Sequence, residues 1–209
     1  MPDDIEEPQD TPPDHYFSAE PASAEERRSL QIRLAGRDIT VRTASGIFSP
    51  GRIDLGTQVL LRTVPAPPAT GHLLDLGCGW GPLALTLALR SPDAQVWAVD
   101  VNNRALDLLR GTARDLGLSN VVAVRPDEVP ASLLLDALWS NPPIRVGKEA
   151  LHGMLRAWLP RLAPGAEGHL VVQRNLGADS LQRWIGDELE LAVERMGSAK
   201  GFRVLRVTH

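Results

Sequence analysis

Polar and apolar positions change rhythm along the chain, and each rhythm predicts a different kind of element. Leu30-Gln31-Ile32-Arg33-Leu34 and Ile39-Thr40-Val41-Arg42-Thr43 alternate with a period of two. That alternation marks strands with one buried face, and Ala35-Gly36-Arg37-Asp38 between them supplies the turn of an antiparallel hairpin. A Gly/Ser/Pro-containing loop over 45–51 leads into a short helix around 55–62, and Pro65-Ala66-Pro67-Pro68 reads as a linker.

From His72 onward, short apolar runs take turns with amphipathic stretches. The runs predict strands over 73–76, 95–99, 121–124, 135–139, 169–173, 189–193 and 202–207. Pro82 suits the first turn of an apolar helix. Asn102 or Asn103 can cap a helix whose apolar face is Ala105, Leu108, Leu109, Ala113 and Leu116, with Gly117 as its end. A long helix from about Lys148 buries Leu151, Leu155, Trp158 and Leu162, and another lies near 180–186. Strands alternating with helices imply a doubly wound α/β fold: a mostly parallel sheet covered on both faces, with the hairpin as an N-terminal extension. Ligands of such sheets sit beyond the carboxyl ends of the strands.

Composition narrows the class. The 209 residues suffice for one good-sized domain, and no apolar run approaches the roughly 20 residues of a membrane helix. No membrane association is expected. Cys78 is the single cysteine, so no internal disulfide forms and a reducing cytoplasm is the expected home. The five histidines lack metal-ligand spacing, so no metal is expected. The net charge of -4 hides an asymmetry: residues 1–14 carry six acids and no base, and without them 20 acids face 22 bases. The Pro- and acid-rich 1–14 stretch reads as a disordered tail. A domain over 15–209 follows, with the hairpin and helix extension over 15–70 and the core over 71–209.

The chemistry gathers behind two strands. Gly77, Gly79 and Gly81 alternate directly after 73–76, so that the backbone turns tightly and its amides approach a ligand at a helix start. A dinucleotide fold calls for Gly-x-Gly-x-x-Gly, and no Lys-Ser or Lys-Thr follows for a nucleoside triphosphate. The spacing suits S-adenosylmethionine, which has no phosphate: Asp75 can answer its ammonium and the amides its carboxylate. Asp100, 23 residues after Gly77, ends the next strand where an acid accepts ribose hydroxyls, with Val101 behind it. Asp127 follows the third strand, placed for the adenine amine. Cys78 has no base among its neighbours and reads as a small filler of this cofactor loop.

Asn141-Pro142-Pro143-Ile144 follows the fourth strand. A planar exocyclic amine is a weak nucleophile because its lone pair is delocalised. The Asn141 side-chain carbonyl and the Pro142 backbone carbonyl can each take one N–H, localising the lone pair and stabilising the cation that develops. Proline preorganises the carbonyls, and alignment of amine, methyl and sulfur supplies further rate. Asn141 thereby faces cofactor and acceptor together.

These residues carry a resemblance. Asp75-Leu-Gly-Cys-Gly-Trp-Gly-Pro82, Val99-Asp100-Val101-Asn102, Asn141-Pro-Pro-Ile-Arg-Val-Gly-Lys148, His15-Tyr16-Phe17-Ser18, Ser45-Gly46-Ile47-Phe48-Ser49 and Lys200-Gly-Phe-Arg-Val-Leu205 resemble class I S-adenosylmethionine-dependent methyltransferases of the small-domain type. Within these the chain is similar to the ribosomal RNA small-subunit methyltransferase C group and its short single-domain relatives. The resemblance implies a Rossmann-like, seven-stranded sheet whose last strand runs antiparallel. It implies transfer of a methyl group to guanine N2 of 16S ribosomal RNA, with ribosomal RNA or the small subunit as partner and a monomeric state. Arg145, Lys148 and Lys200 become phosphate contacts in that reading. Ile144 stands where many amine methyltransferases stack an aromatic, so Phe48, then Tyr16 or Phe202, are the stacking candidates. A base must leave its duplex to reach such a pocket. Adenine or a protein glutamine amide offers the same planar nitrogen, and a catalytically silent cofactor- or RNA-binding module is the alternative from another class.

Overall fold

The computed structural model describes residues 26–209. The expected tail over 1–14 and the His15–Ser18 segment with Tyr16 lie outside them. The hairpin is present as β1 (Arg27–Leu34) and β2 (Arg37–Ala44), paired in the register Leu30↔Val41 and Ile32↔Ile39. Its apolar face packs into the main core. Its other contacts lead to helix α3 (Asn103–Asp115): the Arg42 amide donates to Thr112 Oγ1 at 3.0 Å, and the Arg42 guanidinium grips Asp115 through both oxygens.

Helix α1 (Leu55–Thr63) precedes the strand–helix alternation β3 (Thr70–Leu76), α2 (Pro82–Arg90), β4 (Asp93–Val99), α3 and β5 (Val121–Val124). There follow β6 (Leu135–Ser140), α4 (Lys148–Trp158), β7 (Leu162–Gln173), α5 (Ala178–Leu189), β8 (Ala192–Ala199) and β9 (Phe202–Thr208). The seven-stranded sheet has the order β5-β4-β3-β6-β7-β9-β8, parallel except for β9, which runs antiparallel to both neighbours. The doubly wound arrangement expected from the alternation is therefore present with its hairpin, as are the seven-stranded sheet and antiparallel last strand that the resemblance implies.

Both faces are covered, which is why consecutive residues of the central strands are apolar. Leu73, Ala98, Trp139 and Val204 face α1, α2, α3 and the hairpin, whereas Leu74, Val99, Leu138 and Leu205 face α4 and α5. Three local expectations shift. Helix α4 stops at Trp158, and Leu162, though buried, opens β7. Helix α5 runs on to Leu189, where Glu190 turns left-handed at φ 54° and breaks it. The strand expected over 189–193 consequently begins at Ala192. The end of α3 matches expectation: Gly117 takes φ 68°, and the amides of Gly117 and Leu118 return to the carbonyls of Arg114 and Ala113.

Register fixes the site. Leu76 lies opposite both Val99 and Ser140, and Val99 opposite Val124. The strands β3, β4, β5 and β6 thus end level, and Gly77, Asp100 and Asn141 leave the sheet side by side. Ser140 Oγ donates to the Leu76 carbonyl at 2.7 Å and ties two of these ends together.

Candidate active site

A cleft of about 910 Å³ opens at these carboxyl ends. Its walls include Gly77, Gly79, Asp100, Val101, Pro126, Asn141, Pro142, Pro143 and Ile144, together with Phe48 and Phe202. The volume lies in the range of ligand pockets and is mostly apolar-walled, as a flat aromatic ligand requires. A second cavity, of about 30 Å³, adjoins it between Asp75, Gly77, Asp54, Thr57 and Asn141.

The cofactor loop is built from backbone hydrogen bonds. The amides of Gly77 and Cys78 donate to the Val99 carbonyl at 2.8 and 3.0 Å, and the Gly79 amide donates to Asp100 Oδ2 at 2.7 Å. Asp100 Oδ1 accepts from the Asn102 amide at 2.9 Å. Burial raises the Asp100 carboxyl above its usual range, against the opposing pull of these amides. Gly81 is the N-cap of α2 and turns away from the cleft toward Leu109. Cys78 is buried, and burial together with the nearby Asp100 and Asp75 pushes its thiol well above the ordinary value. A protonated, enclosed thiol is a filler and not a nucleophile.

Asp75 is 1% exposed. Its Oδ2 accepts from the Ala84 amide at 2.8 Å, at the start of α2, while Oδ1 is buried without a hydrogen-bond partner. Burial pushes its carboxyl up to about 8. An unpartnered buried carboxylate oxygen beside a small cavity is the place where a cationic ligand group is missed most. The residues present fit S-adenosylmethionine at three points: Asp75 would meet the ammonium, Asp100 the ribose, and Val101, Pro126 and Ile144 the ring. The amides of Gly77, Cys78 and Gly79 are spent on Val99 and Asp100, so the expectation that they answer the carboxylate is not met in this structure.

Asn141 is held from a direction the sequence did not announce. Its Nδ2 donates to Asp54 Oδ2 at 2.9 Å and to Thr57 Oγ1 at 3.1 Å. Asp54 is the N-cap of α1, accepting from the amides of Gly56 and Thr57. A Ser/Asp-type cap before an apolar helix is legible in a sequence, but its contact with a residue 87 positions away is not. Pro142 follows with its carbonyl already taking the Ile144 amide at 2.9 Å, around Pro143 at φ -74° and ψ 78°. This inverse γ-turn leaves the Pro142 oxygen one further lone pair.

The loop over 45–54 closes the other wall. Trp80 Nε1 donates to the Ser49 carbonyl at 3.1 Å, Asn102 Nδ2 to the Gly46 carbonyl at 3.1 Å, and Arg104 to the Ser45 carbonyl at 2.9 Å. Asn102 is also the cap of α3, which settles the choice between it and Asn103. The pinned loop presents Phe48, 40% exposed, to the cleft.

Other expected residues fall outside the cleft wall. Asp127 sits in the turn Pro126–Glu128, whose Glu128 carboxylate accepts the Arg125 amide; Asp127 is wound outward toward Arg125, and Pro126 lines the cleft in its place. Lys148 opens α4 and Lys200 sits in the β8–β9 turn, both exposed and neither in the cleft wall. Arg145 lies in the turn Ile144–Val146. Among the described residues no cluster of three His, Cys, Asp or Glu could hold a metal, and no helix is long and apolar enough to cross a membrane.

Residues 38–206 match the model of the methyltransferase small domain. The chain belongs to that family. Its fold and its cofactor, S-adenosylmethionine, are thereby those the loop and the sheet had led us to expect. Among curated relatives of this small-domain protein, the uncharacterized protein YbxB of Bacillus subtilis is 31% identical over 92% of the chain and 97% of its own length. Ribosomal RNA small subunit methyltransferase C of Pseudomonas entomophila is 33% identical over 93% of the chain and 58% of its own. The chain thus spans about half the length of the curated methyltransferase C relatives it matches. A solved 16S rRNA N2 G1207 methyltransferase from T. thermophilus, in complex with AdoMet and guanosine, shares the fold at a TM-score of 0.76 and 24% identity, over 87% of the chain and 50% of its own.

Proposed function

We propose that the protein transfers a methyl group from S-adenosylmethionine to guanine N2 in small-subunit ribosomal RNA, in the cytoplasm. The observation that carries the acceptor chemistry is the pinned Asn141. Asp54 in its ionised form only accepts, so the Asn141 atom facing it is the amide nitrogen, and with Thr57 it occupies both amide hydrogens. The Asn141 oxygen remains for the substrate, on a side chain that lines the cleft. Beside it the Pro142 carbonyl offers its second lone pair.

The cofactor, when bound, supplies an electrophilic methyl carbon on a sulfonium. Asn141 Oδ1 and the Pro142 oxygen accept the two N–H groups of an exocyclic amine and turn its lone pair toward the cofactor loop. As the nitrogen gains positive charge, the same oxygens stabilise it, and because they are fixed beforehand they need not reorganise. The surplus proton leaves to water. Asp75 and Asp100 hold the cofactor end, so that acceptor and donor meet in line. Phe48 and Phe202 offer ring faces for a flipped base, in place of the aromatic that Ile144 does not provide. The cations Arg145, Lys148 and Lys200 suit RNA phosphates. Support for the small subunit comes from the methyltransferase C relatives, and support for guanine N2 from the 16S rRNA N2 G1207 methyltransferase of T. thermophilus that shares the fold.

Labelled S-adenosylmethionine incubated with small ribosomal subunits, naked ribosomal RNA and total cell protein tests this reading. Label in guanine N2 of small-subunit RNA is expected. Label confined to adenine or to protein overturns the substrate, and cofactor binding without any transfer indicates a silent module.

A further inference from the structure

The Asp54 carboxylate uses one oxygen and keeps the other. Oδ2 accepts from Gly56 N at 2.8 Å, Thr57 N at 3.4 Å and Asn141 Nδ2 at 2.9 Å. Oδ1 takes no hydrogen bond among the described residues. Asp54 is half-buried and lines both the large cleft and the small cavity. The ring of Phe202 lies against the same helix start. A Cβ at Gly56 would come within 2.9 Å of the ring and 3.0 Å of Asp54 Oδ2, so the missing side chain lets ring and carboxylate share one spot. Phe48, Phe202, Asn141 and a spare acidic oxygen therefore converge where an acceptor base must lie.

Planar amines differ in what stands next to the reactive nitrogen. In guanine the N2 amine is flanked by N1–H, a donor. In adenine the N6 amine is flanked by N1 with a lone pair, an acceptor. A glutamine amide has no such neighbour. An ionised carboxylate accepts only, and its hydrogen bonds are charge-assisted. Facing N1–H it gains a strong bond, whereas facing a lone pair it leaves two acceptors unpaired in a site screened from water. Discrimination of this kind, built on a polar group left without its partner, is the strongest that a binding site achieves.

We infer that Asp54 determines base specificity: its Oδ1 accepts N1–H of guanine while its Oδ2 holds Asn141 against N2. This rests on the guanine-N2 reading and names the residue that enforces it. Asp54 therefore does two things through two oxygens, and the two can be separated. In Asp54→Asn the side-chain oxygen stays where three donors point, keeping the helix cap and the grip on Asn141. The amide nitrogen then takes the place of Oδ1 and turns an acceptor into a donor.

The test begins by mapping the nucleotide that the wild-type protein methylates in small-subunit ribosomal RNA. That position is then rebuilt by splinted ligation as guanine or as 2-aminopurine, which keeps the N2 amine and carries a lone pair at N1. The wild type is expected to favour guanine in kcat/KM by on the order of 100-fold, and Asp54→Asn to narrow that preference at least about tenfold, losing on guanine and gaining on 2-aminopurine. Thr57→Val, which loosens Asn141 without touching Oδ1, should slow both bases and leave the preference as it is. Equal use of the two bases by the wild type overturns the inference while leaving the guanine-N2 reading intact. So does an unchanged preference in folded Asp54→Asn, or a preference shifted equally by Thr57→Val. Failure of the wild type to methylate guanine N2 at the first step removes the function and the inference together.

Discussion

At the scale of single residues, the site separates holding the cofactor from activating the acceptor. Asp75, Gly77, Gly79 and Asp100 stand at the ends of β3 and β4, whereas Asn141 stands at the end of β6 with its amide nitrogen tied to Asp54 and Thr57. Asn141→Ala removes one of two oxygens that stabilise charge on the acceptor nitrogen. Loss of one such positioned group costs about 100- to 1,000-fold in kcat, so transfer should fall by that much. The cofactor's anchors on β3 and β4 remain, so its affinity, measured by calorimetric titration, should stay within a few-fold of the wild type. A large loss of affinity would place Asn141 in the cofactor site and not in the acceptor machinery.

Among elements, the one that departs most from its role in the sequence is α1. The sequence predicts it only as a short helix of the N-terminal extension, with no part in the site for Asp54 or Thr57. In the structure it supplies the two groups that orient Asn141, because tertiary packing sets its first turn against the end of β6. Period-two and strand–loop–helix patterns gave the hairpin, the seven strands and the Gly77–Gly81 loop, since each depends on neighbours in the chain. What stayed hidden depends on distance: Asp54 on Asn141, Trp80 on Ser49, and the outward winding of Asp127 by the Glu128–Arg125 contact. The glycines of the cofactor loop looked equivalent in sequence and are not. Gly81 has φ 93°, and a Cβ there would press into the buried Leu109 methyls of α3, whereas a Cβ on Gly79, φ 53°, meets open space. Left-handed backbone costs a side chain roughly 1–2 kcal/mol, and overpacking a further 1–3. Gly81→Ala should therefore lower the thermal midpoint by about 5–15 °C. Gly79→Ala should cost less stability and instead weaken the cofactor, because the open space beside this cleft residue is the ligand's own. Melting curves with and without cofactor distinguish the two, and equal losses of stability would refute the assigned roles.

For the whole molecule, the site lies where the two cores on either face of the sheet run out, and Asp75 is the acid left inside. This makes global stability depend on pH in an unusual sense. Burial keeps the Asp75 carboxyl protonated up to about pH 8 in the folded protein, whereas in the unfolded chain an aspartate ionises near 3.9. Between those values the folded state holds a proton that the unfolded state lacks. Stability contributed by this group is therefore highest at the acid end and declines as pH rises from about 4 to about 8, levelling beyond. Asp75→Asn, neutral throughout and still able to accept the Ala84 amide, should remove that slope, so its advantage over the wild type in denaturant melts should grow across the window. A cationic ligand group against Oδ1 reverses the balance by favouring the carboxylate. Binding of S-adenosylmethionine at pH 7 should then release a proton, and its affinity should strengthen toward pH 8. Calorimetry in two buffers of different ionisation heat reads that proton directly, and a binding heat independent of buffer would mean that Asp75 stays neutral and the ammonium lies elsewhere.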